Sequence, residues 1–196
     1  DAKSARASMG TMPGEIQTRV DKACSYVAQS LQNINDRCLD VGCGPGILVP
    51  ILNKAGVLPK QITGVDLSPE MIRNAQTRYR GVDFIDSDFI NEFEDKEGFN
   101  SIIFCSSLHD LPDPIGALHK AASLLRPLGT LVILHAQGAS HVDNQVKKNP
   151  VLVKRGLPTT DELQDFDGFE ILVQPASSES KEENQDGYLA VLKKIQ

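Results

Sequence analysis

One stretch constrains this chain more than any other: Arg37-Cys38-Leu39-Asp40-Val41-Gly42-Cys43-Gly44-Pro45-Gly46-Ile47-Leu48. A short apolar run ends in an acid, then comes a glycine-rich turn, then a helix-like pattern. Glycines at a strand-to-helix turn let the backbone approach a ligand closely, because no Cβ stands in the way. The helix start behind them offers unpaired N–H groups and a positive dipole to an anionic group. The spacing is G-x-G-x-G, whereas a dinucleotide fingerprint needs G-x-G-x-x-G, and Ile47 occupies its last position. Asp40 fits poorly beside a pyrophosphate, and a carboxylate there suits a cationic amine.

The chain has 196 residues, enough for one domain with a sizeable core. Hydrophobic content of 40% and charge of 23% belong to an ordinary globular protein rather than a disordered or fibrous one. No apolar run approaches the ~20 residues of a membrane-spanning helix. Net charge is −6 and the basic residues are scattered, which argues against a nucleic-acid partner. Cys24, Cys38, Cys43 and Cys105 lack paired metal-ligand spacing, so no metal site is expected. Their hosts read as helix, strand, turn and strand end, which points to reduced thiols in an intracellular compartment, the cytoplasm or an organelle matrix or stroma. The chain begins at Asp1; Lys3, Ser4, Arg6 and Ser8 are compatible with the tail of a transit segment or with a simple trim.

In order along the chain, residues 1–12 read as a polar arm or lid, and residues 13–196 as a single domain. Thr11 and Pro13 mark a helix entry, followed by Ile16, Val20, Ala23, Val27 and Leu31 at helical spacing. Tyr26 on this helix reads as a packing aromatic. Residues 37–41 form the first strand and 47–54 the next helix, which Gly56 ends and Pro59 keeps from continuing. Residues 61–66 form a second strand ending in Asp66. An acid there, about 20 residues past a glycine turn, can accept from both ribose hydroxyls of a nucleoside. Ser68 and Pro69 make a good N-terminal cap for a helix through Tyr79. Residues 82–89 read as a third strand with its exit loop, 91–98 as an acidic surface stretch, and 99–105 as a fourth strand. A helix with Leu118, Ala121, Ala122 and Leu125 on its buried face leads through an Arg126-Pro127-Leu128-Gly129 turn to a fifth strand at 131–135. A polar, basic connection through Pro158 follows, then a helix at 159–166, a strand at 168–174, a polar loop at 177–185 and a last strand at 187–194.

Leu39-Asp40-Val41-Gly42-Cys43-Gly44-Pro45-Gly46 resembles motif I of the class I S-adenosylmethionine-dependent methyltransferases of the single-domain, small-molecule type. Gly64-Val65-Asp66-Leu67-Ser68-Pro69-Glu70-Met71-Ile72 closely resembles the family's second motif, and residues 108–134 resemble its fourth-strand loop, helix and fifth strand. Phe99-Asn100-Ser101-Ile102 resembles the family's fourth strand, with Asn100 where Asp is usual. The resemblance implies an α/β fold: a doubly wound, Rossmann-like, seven-stranded and mostly parallel sheet of order 3-2-1-4-5-7-6, with strand seven antiparallel. It implies S-adenosyl-L-methionine as cofactor. Gly42, Cys43, Gly44 and Gly46 would hug its methionine end, and Asp40 would take its ammonium group directly or through water. Asp66 would hold the ribose, and Leu67 and Met71 would flank the adenine. Asp88 and the Phe89 backbone would meet the adenine edge, with Asp86 competing for that place. Cys105 and Ser106 would border the methionine end through backbone groups.

Methyl transfer from a sulfonium needs alignment more than activation. A hydroxyl or ammonium acceptor must also lose a proton, which histidine accepts near neutral pH. His109 after the fourth strand, and His135 and His141 at the exit of the fifth, are the candidates; His119 reads as a surface residue, and Asp110 as an orienting or capping group. The Asn/Asp-Pro-Pro-Tyr run of enzymes that methylate nucleobases or protein amides does not occur after the fourth strand, where Cys105-Ser106-Ser107-Leu108-His109-Asp110 stands. A transferase acting on O, N, S or C of a small molecule leads. A protein or RNA methyltransferase follows, favoured if Lys147, Lys148, Lys154 and Arg155 form one basic rim. A donor-binding protein without catalysis is the reading from another class, and a dehydrogenase stands last.

Overall fold

The computed structural model describes residues 14–175 and 187–196. The arm at 1–12, the Thr11–Pro13 helix entry and the loop at 177–185 lie outside the described residues. A seven-stranded sheet runs through the chain in the order β3-β2-β1-β4-β5-β7-β6. Its strands are β1 (Cys38–Val41), β2 (Ile62–Asp66), β3 (Asp83–Asp86), β4 (Phe99–Cys105), β5 (Leu125–His135), β6 (Phe169–Val173) and β7 (Tyr188–Lys194). The first five pair in parallel, while β7 runs antiparallel between β5 and β6. The helices are α1 (Gly14–Gln29), α2 (Val49–Lys54), α3 (Pro69–Arg78), α4 (Pro114–Leu124), α5 (Ala139–Lys148) and α6 (Thr160–Gln164).

Side chains alternate across the sheet and feed two cores, as the two-residue period of a strand dictates. Leu39, Val41, Phe104, Leu131, Ile133 and Leu192 pack on one face with Leu118 of α4, Val142 of α5 and Leu163 of α6. Cys38, Ile103, Val132, Leu134 and Val191 pack on the other with Val27 of α1, Leu52 of α2 and Ile72 of α3. Tyr26 is half-buried on that second side. Ser30, just after α1, donates to Thr130 of β5 at 2.7 Å and ties the N-terminal helix across the sheet.

Caps explain where the helices start. Ser68 accepts from Met71 N with Pro69 in the first turn of α3, and Asp113 accepts from Gly116 N with Pro114 opening α4. Thr159 and Glu162 form a capping box on α6. Asn100 accepts from Arg37 N at 3.2 Å and from the Arg126 guanidinium at 3.0 Å, so the amide serves as a structural bracket.

Most element boundaries shift by a residue or two, and four segments depart from the sequence reading in their own way. The helix after the glycine turn opens at Val49, because the backbone is still turning at Gly46. Strand β5 opens at Leu125: the Arg126–Gly129 turn is drawn into the sheet as an irregularity opposite residues 99–101, with Leu128 at φ +60°. Residues 91–98 are not purely surface, since Phe93 is buried against Phe89 and Phe99. Asp95 holds that segment down through a two-point contact with Arg37, whose guanidinium lies 4.5 Å from the Phe99 ring centre. The connection after β5, read as polar chain, begins with helix α5, whose Val142 anchors it to the core.

Candidate functional site

The carboxyl ends of β1, β2 and β4 meet where the strand order reverses, the place at which open α/β sheets bind ligands. Gly42 and Cys43 both donate to Val65 O, at 2.8 and 3.1 Å, which bends the chain away from β1. Gly42, Gly44 and Gly46 all have positive φ, at 71°, 53° and 80°. A Cβ on Gly42 would lie 2.5 Å from Ser107 Cβ. Ser107 in turn donates to Val41 O at 2.5 Å and locks the end of β4 to the end of β1. A Cβ on Gly46 would strike the Tyr79 ring at 2.9 Å. At Gly44 a Cβ would meet nothing within 4 Å among the described residues, so among them this glycine faces open space. Ser107 and Tyr79 escaped the sequence reading; the signal for a close neighbour was the glycine opposite each.

Asp66 accepts from Gly44 N at 2.8 Å and from Ser68 N at 2.9 Å, so one carboxylate ties the glycine turn to the start of α3. Asp40 is buried, and its Oδ1 has no partner among the described residues. Burial, then the charge of Asp66, pushes its pKa up to about 7. An orphaned buried carboxylate oxygen beneath a turn with an open glycine fits a cationic amine, as the motif implies.

The other predicted residues around this turn are arranged as follows. Leu67 is largely exposed and Met71 half-buried in the first turn of α3. Asp86 ends β3 opposite Asp66. Asp88 folds back on its own turn and accepts from Ile90 N, Asn91 N and Asn91 Nδ2; those bonds lower its pKa. The Phe89 ring is core, edge-on to Phe104. Ser106 takes φ +54°; its N–H donates to Leu134 O and its hydroxyl accepts from Ala136 N. It therefore brackets the exits of β4 and β5, with its N–H already committed to the sheet. Burial is the main force that raises the thiol pKa of Cys24, Cys38, Cys43 and Cys105, and the Asp40 charge adds to it. All four are protonated thiols at neutral pH.

The three candidate histidines come together on the β5 side. His109, in a short turn (Leu108–Asp110), has its ring centre 4.8 Å from that of His135, edge to face. His135 lies 5.8 Å from His141 in a stacked arrangement. His109 and His135 are 6% and 3% exposed, and the Nδ1 atom of each lacks a partner among the described residues. His109 Nε2 is 3.4 Å from Asp110 Oδ1. Burial, offset by Asp110 and aided by His141, lowers the pKa of His109; burial, His109 and His141 lower that of His135 to about 4. His141 Nε2 meets Gln145 Nε2 at 3.0 Å. His119 is exposed on α4, with its ring 5.0 Å from Phe166. Lys147, Lys148 and Lys154 are exposed in the connection after β5, whereas Arg155 is bound to both oxygens of Glu162. No His, Cys, Asp or Glu cluster suited to a metal ion occurs among the described residues. No helix among the described residues is long and apolar enough to cross a membrane.

Comparison with known proteins gives consistent results. The family model for the methyltransferase domain matches residues 12–167. A ubiquinone biosynthesis O-methyltransferase of Xanthomonas campestris pv. campestris (strain B100) is 32% identical over 117 residues, which is 55% of this chain and 46% of that protein. A trans-aconitate 2-methyltransferase of Escherichia coli (strain 55989 / EAEC) is 34% identical over 103 residues, 53% of this chain and 40% of that one. The chain thus spans about half the length of the curated relatives it matches. Among solved structures, the N-methyltransferase NodS from Bradyrhizobium japonicum WM9 superposes with a TM-score of 0.67 at 18% identity, covering 93% of this chain and 98% of that one. The plantazolicin methyltransferase BpumL in complex with SAH gives 0.66 at 16% identity, covering 93% and 86%. Motif, sheet order and family match agree: the chain belongs to the methyltransferase domain family, with the fold of the class I S-adenosylmethionine-dependent enzymes.

Proposed function

We propose that this chain transfers a methyl group from S-adenosyl-L-methionine to a small-molecule acceptor, with His109 as the proton acceptor. The observation that carries the donor assignment is the unpartnered Oδ1 of Asp40 beneath the three positive-φ glycines, with Gly44 left open. Asp40 holds the donor's ammonium group, and Gly42, Cys43, Gly44 and Gly46 give the methionine end a wall of backbone. Asp66 already accepts from two backbone N–H groups, and in this reading its remaining acceptor capacity takes the ribose hydroxyls. Leu67 and Met71 cover the adenine, Asp88 and the Phe89 backbone meet its edge, and Cys105 and Ser106 close the methionine side. When bound, the donor supplies a methyl group on a positive sulfur, open to in-line displacement.

The acceptor side falls to the histidines. His109 is buried and held neutral at pH 7, with Nδ1 unpartnered, so it can take a proton from an acceptor. A neutral base buried beside a reacting oxygen or nitrogen acts without first losing a proton to water. His135 and His141 build the wall behind it. The small-molecule reading is supported by the names of the relatives, and Arg155, one of the four residues named for a basic rim, is paired with Glu162. Calorimetry tests the donor assignment: S-adenosylhomocysteine should bind in the micromolar range and NAD should not bind. Equal binding of NAD, or none of either, removes this reading.

A further inference from the structure

We infer that the cluster of His109, His135 and His141 recognises an acidic oxygen acceptor, a phenol, enol or carboxylic acid, and holds it as its anion against the paired Nδ1 atoms of His109 and His135. This rests on the methyltransferase reading above and names the acceptor class of that site.

Two imidazoles lie edge to face with centres 4.8 Å apart, both more than nine-tenths buried, and each has an Nδ1 without a partner among the described residues. Buried polar atoms in native proteins nearly always have a partner, so two adjacent exceptions call for a group that arrives from outside. The charges around them decide its sign. Asp110, the nearest carboxylate, is 68% exposed and lies on the Nε2 side of His109. His141 faces the pair from α5. Tyr188 stands opposite His135 on β7, with its hydroxyl committed to Pro158 O. Cys105, at the end of β4, is a protonated thiol. Arg19 of α1 donates to Ala136 O, one residue past His135, and brings a cation to this exit. Among the described residues the carboxylate in contact with these imidazoles is the exposed Asp110. The buried Asp40, whose charge reaches Cys105, is the one assigned to the donor's ammonium group, so a cationic amine placed here would meet no second buried acid in contact with the pair. An oxygen acid would find imidazoles that become cationic as it becomes anionic, and the ion pair repairs both orphaned nitrogens.

The proton balance is closed. A hydroxyl acceptor gives its proton to an Nδ1 atom and keeps the electron pair. A carboxylate arrives ionised, and the cluster takes its proton from solvent. In either case the oxygen forms the new C–O bond as the C–S bond of the donor breaks, and the imidazolium proton returns to water when the neutral ester or ether leaves.

The test uses the full chain saturated with S-adenosylhomocysteine, after that binding has been measured separately. Benzoate, 4-hydroxybenzoate, catechol, trans-aconitate and benzylamine are titrated in phosphate and in Tris. The difference in heat between the buffers gives protons exchanged, and nitrogen-15 spectra of the imidazoles give the affected atoms. At least one carboxylate should bind with uptake of close to one proton and should shift the Nδ1 signals of His109 and His135. At least one phenol should shift the same signals. His135→Gln should keep S-adenosylhomocysteine binding within twofold, weaken the acid probes about tenfold and abolish most of the proton uptake. Preference for benzylamine, binding of the acids without proton exchange or imidazole shifts, or no binding of any acid at millimolar concentration overturns the inference. A chain that fails to bind S-adenosylhomocysteine at the outset instead overturns the donor reading.

Discussion

The glycine turn proposed to hold the donor and the histidines proposed to meet the acceptor share one edge of the sheet but are built by opposite means. The turn is local: within a few residues of β1, three glycines with positive φ bend the backbone, and two partners from outside, Val65 and Asp66, fasten it. The histidines are non-local: one follows β4, one ends β5 and one opens α5; the pairing of β4 with β5 brings His109 within 6 Å of His135, and α5 brings His141 within 6 Å of His135. Each side buries an unusual ionisable group. On the α1–α3 side it is an acid held partly neutral, Asp40. On the other side it is a base held neutral, His135. In the proposed reading, backbone geometry sets the donor grip and tertiary packing sets the acceptor chemistry.

This contrast predicts that the two sides fail separately. The largest effect belongs to His109→Ala. Loss of a positioned base costs about 10²–10⁴-fold in turnover, so kcat on the true acceptor should fall by that factor. S-adenosylhomocysteine affinity, measured by calorimetry, should change by less than threefold. A fall in both would mean that the two sides are one unit.

The same contrast accounts for what could be read from the chain. The glycine turn and the acid after β2 were legible because each depends on residues close in sequence: Ser68 before Pro69 caps α3, and Asp66 follows a strand whose period is visible; the order of the strands is non-local and came from the family resemblance. The histidines could be nominated one by one, but their contact could not, because no local pattern encodes the register Phe104 to Ile133 that sets His109 beside His135. Helix α5 was missed because its single buried residue, Val142, gives too little apolar period to separate it from a polar loop. The boundary of β5 was missed because proline and glycine normally signal a turn outside a sheet, and here they form an irregularity within it.

Next in size is the opposed pH dependence of the two buried groups. Asp40 is raised from 3.8 to about 7 in the folded chain, so its contribution to stability falls as pH rises from about 4 to about 7. His135 is lowered from 6.5 to about 4, so its contribution is complete above 6.5 and is lost as pH falls toward 4. The two slopes run against each other over nearly the same window, each amounting to a few kcal/mol at about 1.4 kcal/mol per pKa unit. Urea midpoints of the unliganded chain should expose this. Relative to the parent, Asp40→Asn should gain stability progressively from pH 4 to 7, and His135→Asn should gain it progressively from pH 6.5 down to 4. Parallel curves for parent and Asp40→Asn would show that the acid is not held neutral. Donor binding adds a second check: if Asp40 must ionise to meet the ammonium, affinity for S-adenosylhomocysteine should rise from pH 6 to 8 in the parent and lose that rise in Asp40→Asn.

Asp66→Ala comes third and belongs to the donor side alone. It removes the acceptor of two backbone N–H groups and the proposed partner of the ribose. Hydrogen bonds to a charged group contribute about 1.5–3 kcal/mol each, so S-adenosylhomocysteine affinity should fall about 100-fold. The imidazole signals of His109 and His135 should stay in place. An affinity like the parent's would remove the ribose assignment, and moved imidazole signals would show that the glycine turn also supports the acceptor side.

Asp88→Ala should be the mildest, and the reason lies in the bonds its carboxylate already makes. Both oxygens are engaged inside its own turn, one by the N–H groups of Ile90 and Asn91 and the other by the Asn91 amide, at 2.9 to 3.1 Å. A carboxylate so occupied has acceptor capacity left for an adenine amino group, but its charge is already spread over three donors, so the added bond is weak. Its first loss on substitution is the turn itself. Asp88→Asn keeps an oxygen for that turn and should cost less than threefold in S-adenosylhomocysteine affinity, whereas Asp88→Ala should cost about tenfold, with most of the loss arising as the turn that presents the Phe89 backbone relaxes. If instead Asp88→Asn alone weakens binding as far as Asp66→Ala does, the adenine edge is gripped by charge and not by shape. The donor side would then be more than a set of backbone bends.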